Sequence, residues 1–297
     1  MLIVGCGYVG SRLARLEAGR RQVLALVRSS PRATQLEAAG IHTLRVDLDA
    51  ADAALPPSVA AVAAGNAVVY MVPPPEQGLT DVRLESFLRQ LSDASPAVFV
   101  YISTTGVYGD TAGARVDESS PLAPGNERSQ RRVAAERATS AWCEARGVRC
   151  VILRVPVIYG PYRLPLERLQ RGEPALRPKD SGPGNRIHVD DLIASIVAAC
   201  DRGSAQGAFN VTDGDYSSTT LYLQETAAAA GLPAPELITR AEAARRISPG
   251  MLAFLLESRR VSNERMLKEL GVQLRYPSMR SGVLASLAEM RMEQPAR

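Results

Sequence analysis

Three glycines near the N-terminus carry the first recognisable chemistry. In Gly5-Cys6-Gly7-Tyr8-Val9-Gly10 they have the spacing G-x-G-x-x-G, between the apolar run Leu2-Ile3-Val4 and a helical pattern from Tyr8 to Ala18. In that setting the first glycine permits a tight turn and the second lets a pyrophosphate approach the backbone. The third lets helix and strand pack closely. The helix start at Tyr8 and Val9 offers free N–H groups and a positive dipole end to phosphates. A strand–helix turn that binds nothing is the plain alternative. A second strand, Gln22 to Val27, arrives where a dinucleotide-binding βαβ unit needs it.

The end of that second strand addresses the ribose. An NAD site usually places Asp or Glu there, to accept from the 2′-hydroxyl. This chain has Val27-Arg28-Ser29-Ser30-Pro31-Arg32 instead. An arginine and two hydroxyls suit a 2′-phosphate, which a carboxylate would repel, so NADP is expected ahead of NAD. A solvated loop charge is the other reading of Arg28. After the third strand come Asp47 and Leu48. Asp47 either reaches the adenine region or caps the next helix.

The elements that must position these residues follow from periodicity. Strands are expected at Leu2–Val4, Gln22–Val27, Ile41–Val46, Ala67–Val72, Ala97–Ile102 and Val148–Val155, with helices at Tyr8–Ala18, Leu79–Leu91 and Ser129–Ala145. Alternation of this kind builds a parallel sheet. Proline and glycine thicken from Gly160 to Gly184. A helix from Asp191 to Cys200 and a strand at Ala208–Val211 follow, then helices near Ser218–Ala230, Ser262–Leu270 and Met279–Met290. The expected fold is α/β, a doubly wound parallel sheet (Rossmann fold) with a smaller C-terminal substrate-binding region. Residues 1–160, completed by about 187–211, form the NAD(P)-binding domain, and 161–186 with 212–297 form the smaller region. The alanine-rich stretches read as helix filler.

Tyr101-Ile102-Ser103-Thr104-Thr105-Gly106-Val107-Tyr108-Gly109 resembles the post-strand segment of extended short-chain dehydrogenases/reductases, the NAD-dependent epimerase/dehydratase family. Three further stretches are similar and in the right order: Leu153-Arg154 through Pro161, Arg186 through Leu192, and Phe209-Asn210-Val211-Thr212. The resemblance spans nearly the whole chain. It implies a cofactor domain followed by a part that closes over the nicotinamide. The cofactor contacts then comprise Gly5, Gly7, Tyr8, Val9, Gly10, Arg28, Ser29, Asp47, Leu48 and Ser103.

The departures concern the proton-transfer set, which in the family is a Thr or Ser hydroxyl, a Tyr, and a Lys four residues after it. Thr104 matches the hydroxyl. Aligning Ala134-Ala135-Glu136 with the usual continuation places Arg128 at the tyrosine and Arg132 at the lysine. The chain thus resembles an atypical branch without the Tyr-x-x-x-Lys pair. Arginine releases no proton near neutral pH, so Arg128 cannot replace tyrosine as the acid. Arg132 retains the ability to hydrogen-bond the nicotinamide ribose. Arg128, Arg132 and Glu136 fall on one helix face, which reads equally as a solvated Arg–Glu ladder. Candidates for a replacement acid are Tyr108, Tyr159, Tyr162 and His188, each with a packing role as its alternative. Thr104, Arg132, Tyr108 and His188 form the candidate catalytic set. Asp190 or Asp191 reads most simply as a helix cap.

Composition narrows the partners. The chain is 46% apolar and 22% charged, with a net charge of +4. Its arginines are scattered and only 5% of residues are aromatic, a pattern without the basic stripe of a nucleic-acid binder. Arg163, Arg168, Arg171, Arg177, Lys179 and Arg186 crowd the Pro/Gly-rich segment and suit an anionic small-molecule substrate, or are solvated loop charges. Cys6, Cys143, Cys150 and Cys200, with His42 and His188, show no metal-ligand spacing, and read as reduced thiols. No membrane span or leader is evident, so a cytoplasmic location is expected. Some members of the resembled family pair through the helices flanking the fifth strand, which implies a homodimer. Two function classes follow: an NADP-dependent oxidoreductase or epimerase-like enzyme with a non-standard proton donor, and a catalytically inactive NADP-binding redox sensor or regulator. An FAD protein fits less well, since it too usually carries an acid after the second strand.

Overall fold

A parallel strand covered on both faces must be apolar nearly throughout, and the central strands Leu2–Val4, Ala67–Tyr70 and Val98–Thr104 are, whereas the edge strand His42–Arg45 is polar and partly exposed. The computed structural model describes residues 1–50, 54–91 and 94–293. Strands β1 (Leu2–Val4), β2 (Leu24–Val27), β3 (His42–Arg45), β4 (Ala67–Tyr70) and β5 (Val98–Thr104) alternate with helices α1 (Tyr8–Ala18), α2 (Ser30–Glu37), α3 (Pro57–Ala63) and α4 (Val82–Gln90). Strand β6 (Arg115–Val116) precedes the long helix α5 (Glu127–Glu144), then β7 (Arg149–Val155) and β8 (Val157–Tyr159). Next come α6 (Leu166–Gln170), β9 (Ala175–Leu176), β10 (Arg186–His188), α7 (Val189–Asp201), β11 (Gly207–Asn210) and α8 (Thr219–Ala230). The C-terminal segment holds β12 (Leu237–Ile238), α9 (Arg240–Arg246), α10 (Pro249–Leu256), β13 (Arg260–Val261) and α11 (Met279–Met292).

The main sheet has seven parallel strands in the order β3-β2-β1-β4-β5-β7-β11. Side chains alternate between its faces with the strand period of two. Ile3, Val98, Val100, Val151 and Leu153 pack with Leu13 of α1, Leu36 of α2 and Ile196 of α7. Their sequence neighbours Leu2, Val4, Phe99, Tyr101, Cys150 and Ile152 pack with Val59 of α3, Phe87 of α4 and Trp142 of α5. Each fully buried large side chain contributes about 1.5–3 kcal/mol. Aromatic contacts reinforce the second face, with ring centroids 5.3 Å apart for Tyr70–Phe87 and 5.7 Å for Phe99–Trp142.

The chain runs outward from β1 to β3 and returns beside β1 on its other side as β4. That reversal opens a crevice at the carboxyl ends of β1 and β4, where such sheets bind ligands. Gly5 ends β1 with φ of 96°, and a Cβ there would lie 3.0 Å from the Val72 nitrogen. Gly10 is equally confined, since a Cβ there would come within 2.6 Å of the Gly5 carbonyl oxygen.

Three small parallel pairs, β8–β10, β9–β12 and β6–β13, tie the later segments together. The β6–β13 pair joins the loop after β5 to the C-terminal segment, a link that local patterning does not reveal. Helix α2 was not expected either. Pro31 in its first turn, which reads as a loop residue, is well suited to start a helix. The helix expected over Ser262–Leu270 forms from Glu264 and ends in a π-helical turn, Met266–Leu270, stopped by Gly271 at φ of 59°. Helix α10 was also unforeseen.

Gly10→Ala should destabilise the protein by about 1–3 kcal/mol, because the added methyl meets backbone that cannot move aside. Denaturant unfolding of Gly10→Ala beside Gly7→Ala checks this; a Cβ at Gly7 has nothing within 4 Å, so the second variant should lose less.

Candidate functional site

A cleft of about 570 Å³ lies along the carboxyl ends of β2, β1, β4, β5 and β7. The glycine turn forms its floor. Helix α1 starts at Gly7 with no side-chain cap, so the first N–H groups of the helix have no acceptor from that source. The space above Gly7 is empty within 4 Å, as an approaching pyrophosphate requires. Tyr8 is fixed by its hydroxyl, which donates to the Pro161 carbonyl at 2.7 Å. Its ring lies 5.5 Å from the Arg12 guanidinium carbon and 5.0 Å from that of Arg163.

At the β2/β3 end the cleft is lined by Arg28, Ser29, Arg32, Asp47, Leu48 and Asp49, with Arg83 reaching in from α4. The Arg28 side chain is 72% exposed and lies 3.6 Å from Asp49. Asp47 caps a turn, its Oδ1 accepting from the Asp49 N–H at 3.0 Å. Asp49, not among the expected contacts, accepts from Arg83 Nη2 at 2.7 Å, and Arg83 holds its carboxyl below the usual range.

At the β5/β7 end the lining residues include Ser103, Thr104, Arg128, Arg132, Val155, Pro156, Ile158 and Arg163. Thr104 Oγ1 accepts from the Gly106 N–H at 3.2 Å, which leaves its hydroxyl proton free to point elsewhere. Arg132 is held from below, donating through Nη1 to the Tyr101 hydroxyl at 3.0 Å and to the Ile102 carbonyl at 2.8 Å. The solvated Arg–Glu ladder on α5 does not form. Glu136 is 4% exposed and turned under the sheet. There it accepts from Ser103 Oγ at 2.6 Å and from Arg154 Nη2 at 2.7 Å.

Arg154 then donates through Nη1 to the Tyr108 hydroxyl at 2.9 Å, which donates to Asn210 Oδ1 at 2.8 Å. The Asn210 N–H reaches Glu118 Oε1 at 2.7 Å. This chain of contacts links β5, α5, β7 and β11. The signal for it was present in Val151-Ile-Leu-Arg154-Val155, where a cation interrupts a buried strand and therefore needs a partner.

Of the candidate proton donors, none lines the cleft. Tyr108 is 1% exposed and committed to Arg154 and Asn210. Tyr159 is fully buried and packs so closely on Gly282 that a Cβ there would come within 2.2 Å of its hydroxyl. Tyr162 faces outward, its hydroxyl donating to Glu293 at 2.6 Å. His188 caps α7, Nδ1 accepting from the Asp190 N–H at 3.2 Å and Nε2 facing Ser286 Oγ at 3.2 Å. It packs against Tyr276 with ring centroids 4.1 Å apart and planes tilted by 52°, and burial lowers its pKa to about 4. Asp190 lies in the first turn of α7. Asp191 instead accepts the N–H groups of Arg275 and Tyr276, at 2.8 and 3.0 Å.

The basic crowd also divides. Arg163 alone of it lines the cleft. Arg168 and Arg171 reach Glu173 at 3.4 and 2.7 Å. Arg186 is buried, donating to the Ser217 carbonyl at 2.6 Å and covering the Tyr222 ring at 4.6 Å. All four cysteines are buried, and burial pushes the Cys6 and Cys200 thiols up to about 12. Among the described residues there is no cluster that could hold a metal ion, and no helix is long and apolar enough to cross a membrane.

Gly7→Val should abolish dinucleotide binding while leaving the fold intact, because the branched side chain fills open space above the turn. Fluorescence titration and circular dichroism check the two halves; a folded variant that still binds would place the ligand elsewhere. His188 yields a pH prediction. Its imidazole protonates near 6.5 when exposed, and only near 4 in the fold. The unfolded chain therefore binds more protons between those values. The contribution of the neutral ring is complete above pH 6.5 and declines by up to about 3 kcal/mol as pH falls towards 4. The stability difference between the wild type and His188→Gln should narrow accordingly between about pH 7 and about pH 4.5, measured by denaturant unfolding.

Residues 1–212 match the model of the NAD dependent epimerase/dehydratase family. The dTDP-D-glucose 4,6-dehydratase of Mus musculus is 36% identical over 127 residues, 40% of this chain and 36% of that protein. Its Homo sapiens counterpart is 26% identical over 121 residues, 38% of this chain and 35% of that protein. The chain thus spans about a third of the length of the curated relatives it matches. A functionally unknown conserved protein from Silicibacter pomeroyi has a similar structure, with a TM-score of 0.83 and 28% identity over 97% of this chain and 98% of that one. UDP-glucuronic acid 4-epimerase from Bacillus cereus, solved with NAD, superposes with a TM-score of 0.75 over 98% of both chains at 16% identity, a likeness of fold alone. Glycine turn, sheet order and family match coincide over the same residues: the chain belongs to the NAD-dependent epimerase/dehydratase family.

Proposed function

We propose that the protein is an NADP-dependent oxidoreductase or epimerase-like enzyme that acts on a small carbonyl or nucleotide-sugar-like substrate without a side-chain acid of the usual kind. The observation that carries this reading is the composition of the β5/β7 end of the cleft. Thr104 and two α5 arginines are present there, and the one tyrosine near them among the described lining residues, Tyr8, has its hydroxyl tied to the Pro161 carbonyl. Curated relatives named for dehydration of dTDP-glucose, and structural neighbours solved with UDP-glucuronic acid and NAD, support the substrate and cofactor classes.

The fit to a dinucleotide rests on the uncapped α1 start, the open space over Gly7 and the cleft leading to Arg28. Gly5, Gly7, Tyr8, Val9 and Gly10 hold the pyrophosphate, with Arg163 beside Tyr8. Arg28, Ser29 and Arg32 take the 2′-phosphate, while Asp47 and Leu48 border the adenine. Arg132 is anchored through Nη1 and keeps its remaining donors for the ribose hydroxyls. Ser103, tied to Glu136, forms the wall beside them. The bound dinucleotide supplies or accepts hydride at the substrate carbon. Thr104 donates a hydrogen bond to the oxygen on that carbon. The neighbouring guanidiniums stabilise negative charge developing there, in the manner of preorganised donors. The proton is taken from water when hydride is delivered and returned to water when hydride is removed, through the open cleft. Residues 161–186 and 212–297 form the substrate side of the cleft in this reading.

One observation favours a second reading, an NADP-binding sensor without turnover. The only hydroxyl-bearing aromatic among the described residues lining the cleft, Tyr8, is tied to a backbone carbonyl and has its pKa raised to about 12 by burial. NADPH consumption across a carbonyl and nucleotide-sugar panel separates the two. Turnover that falls with Thr104→Val supports the enzyme, and tight NADPH binding with no turnover on any compound supports the sensor.

NADPH should bind about tenfold or more tightly than NADH, as a charge-assisted contact to the 2′-phosphate implies. Arg28→Asp should narrow or reverse that preference. Equal affinities in the wild type, by fluorescence titration, would mean that Arg28 faces only solvent and Asp49.

A further inference from the structure

Sheet order separates the charges of the cleft into two groups. At the β2/β3 end, Arg28, Arg32 and Arg83 stand with the carboxylates of Asp47 and Asp49. At the β5/β7 end, Arg128, Arg132 and Arg163 line the same cleft, with no carboxylate among the described lining residues. Four carboxylates on the elements and loops bounding this end are already engaged. Glu136 is held by Arg154 at 2.7 Å, and Glu127 lies 3.6 Å from Arg131. Glu257 pairs with Arg259 at 2.6 Å, and Glu118 accepts the Asn210 N–H at 2.7 Å.

The three cations are not equivalent. Arg132 is pinned to Tyr101 and Ile102. Arg163 covers the Tyr8 ring, next to the glycine turn and the phosphates expected there. Arg128 is exposed and has no hydrogen bond, ion pair or ring contact among the described residues. It lies one helical turn before Arg132 on α5, so their Cβ atoms are about 5–6 Å apart. A ligand that fills this end of the cleft strips water from the Arg128 guanidinium. That is unfavourable unless the ligand itself brings acceptors, and a planar fork of donors matches carboxylate or phosphate oxygens best.

We propose that Arg128 is the receptor for an anionic group of the substrate, a carboxylate or phosphate held about one helical turn from the Arg132 that orients the ribose. The inference rests on the reading of the cleft as an NADP site. It makes the substrate a small oxo or hydroxy compound whose anionic group stands a few bonds from the carbon that exchanges hydride. The position occupied by tyrosine in the family then serves recognition in this chain, and no proton leaves it.

Calorimetric titration of the NADP⁺-loaded protein at low salt tests this, with oxalate as the carboxylate probe and inorganic phosphate as the phosphate probe. The wild type should bind one of the two, and which one names the substrate's anionic group. Arg128→Gln should weaken that binding by about tenfold or more, with Arg128→Lys recovering part of it. NADP⁺ affinity should stay within about twofold in both variants. Exposure of Arg128 makes loss of folding a small concern, and circular dichroism verifies it. Equal anion affinity in wild type and Arg128→Gln overturns the proposal. So does an NADP⁺-loaded wild type that binds neither probe, although the cofactor reading then survives. A wild type that fails to bind NADP⁺ at all overturns that reading, and this inference with it.

Discussion

The ion pair between Arg154 and Glu136 is the interaction on which the site depends. Both groups are nearly excluded from water, at 6% and 4% exposure, so each requires the other. Loss of one partner would strand a buried charge, at a cost of about 3–5 kcal/mol. The pair joins β7 to α5 at the end of the sheet, and Ser103 of β5 completes it. Three elements are thereby fixed where the cleft needs them. Thr104 follows Ser103 directly, and Arg132 lies one turn before Glu136, so the geometry of the β5/β7 end is transmitted through this single contact. Tyr108 and Asn210 extend the same polarity to β11, and their burial makes them supports of the site and not participants.

In the proposed reading, a cleft with this layout departs from the usual chemistry of the family in one respect. Where the family resemblance leads one to expect a phenol and an ammonium, the cleft is lined by the guanidiniums of Arg128 and Arg132. A phenol can give up a proton near its tuned pKa, whereas guanidinium stays charged throughout the accessible range. In the proposed reading, function at this end rests on fixed positive charge, hydroxyl hydrogen bonding and solvent. Of the residues that sequence pattern nominated as substitutes, Tyr108, Tyr159 and His188 are buried, and Tyr162 faces outward, away from the cleft. His188, capping α7 between Tyr159 and Tyr276, is kept neutral by the same burial that removes it from the cleft.

The segments beyond β8 are assembled by long-range pairing. Two-residue strands such as β9 and β12 have little stability alone and persist because Leu176 and Ile238 share a small apolar cluster with Ala243. The β6–β13 pair draws the loop after β5 towards the C-terminal segment, so the approach to Arg128 is bordered by residues far apart in sequence. Asn126, which caps α5 through the Ser129 N–H, also donates to Glu257 at 3.2 Å. The start of the arginine-bearing helix is thus coupled to the segment that follows α10.

The sequence by itself determined the sheet and the glycine turn. Apolar runs of strand length between helical periods admit few alternatives to a parallel sheet, and Gly5 and Gly10 occupy positions where any Cβ meets backbone within 3.0 Å. Arg28 at the end of β2, and Arg128 with Arg132 one turn apart, were likewise legible, because both depend only on local spacing. Tertiary structure decided which charges face the cleft. Glu136 and Arg132 share a helix face on paper, yet Glu136 is drawn under the sheet by Arg154, a partner 18 residues away that local periodicity cannot see. Arg186 and Arg163 belong to the same basic segment, but one is buried against Tyr222 and the other opens onto the cleft. Whether an ionisable side chain is solvated, paired or buried is set by what the rest of the chain packs against it. That is a property of the assembled fold, and no window of sequence contains it.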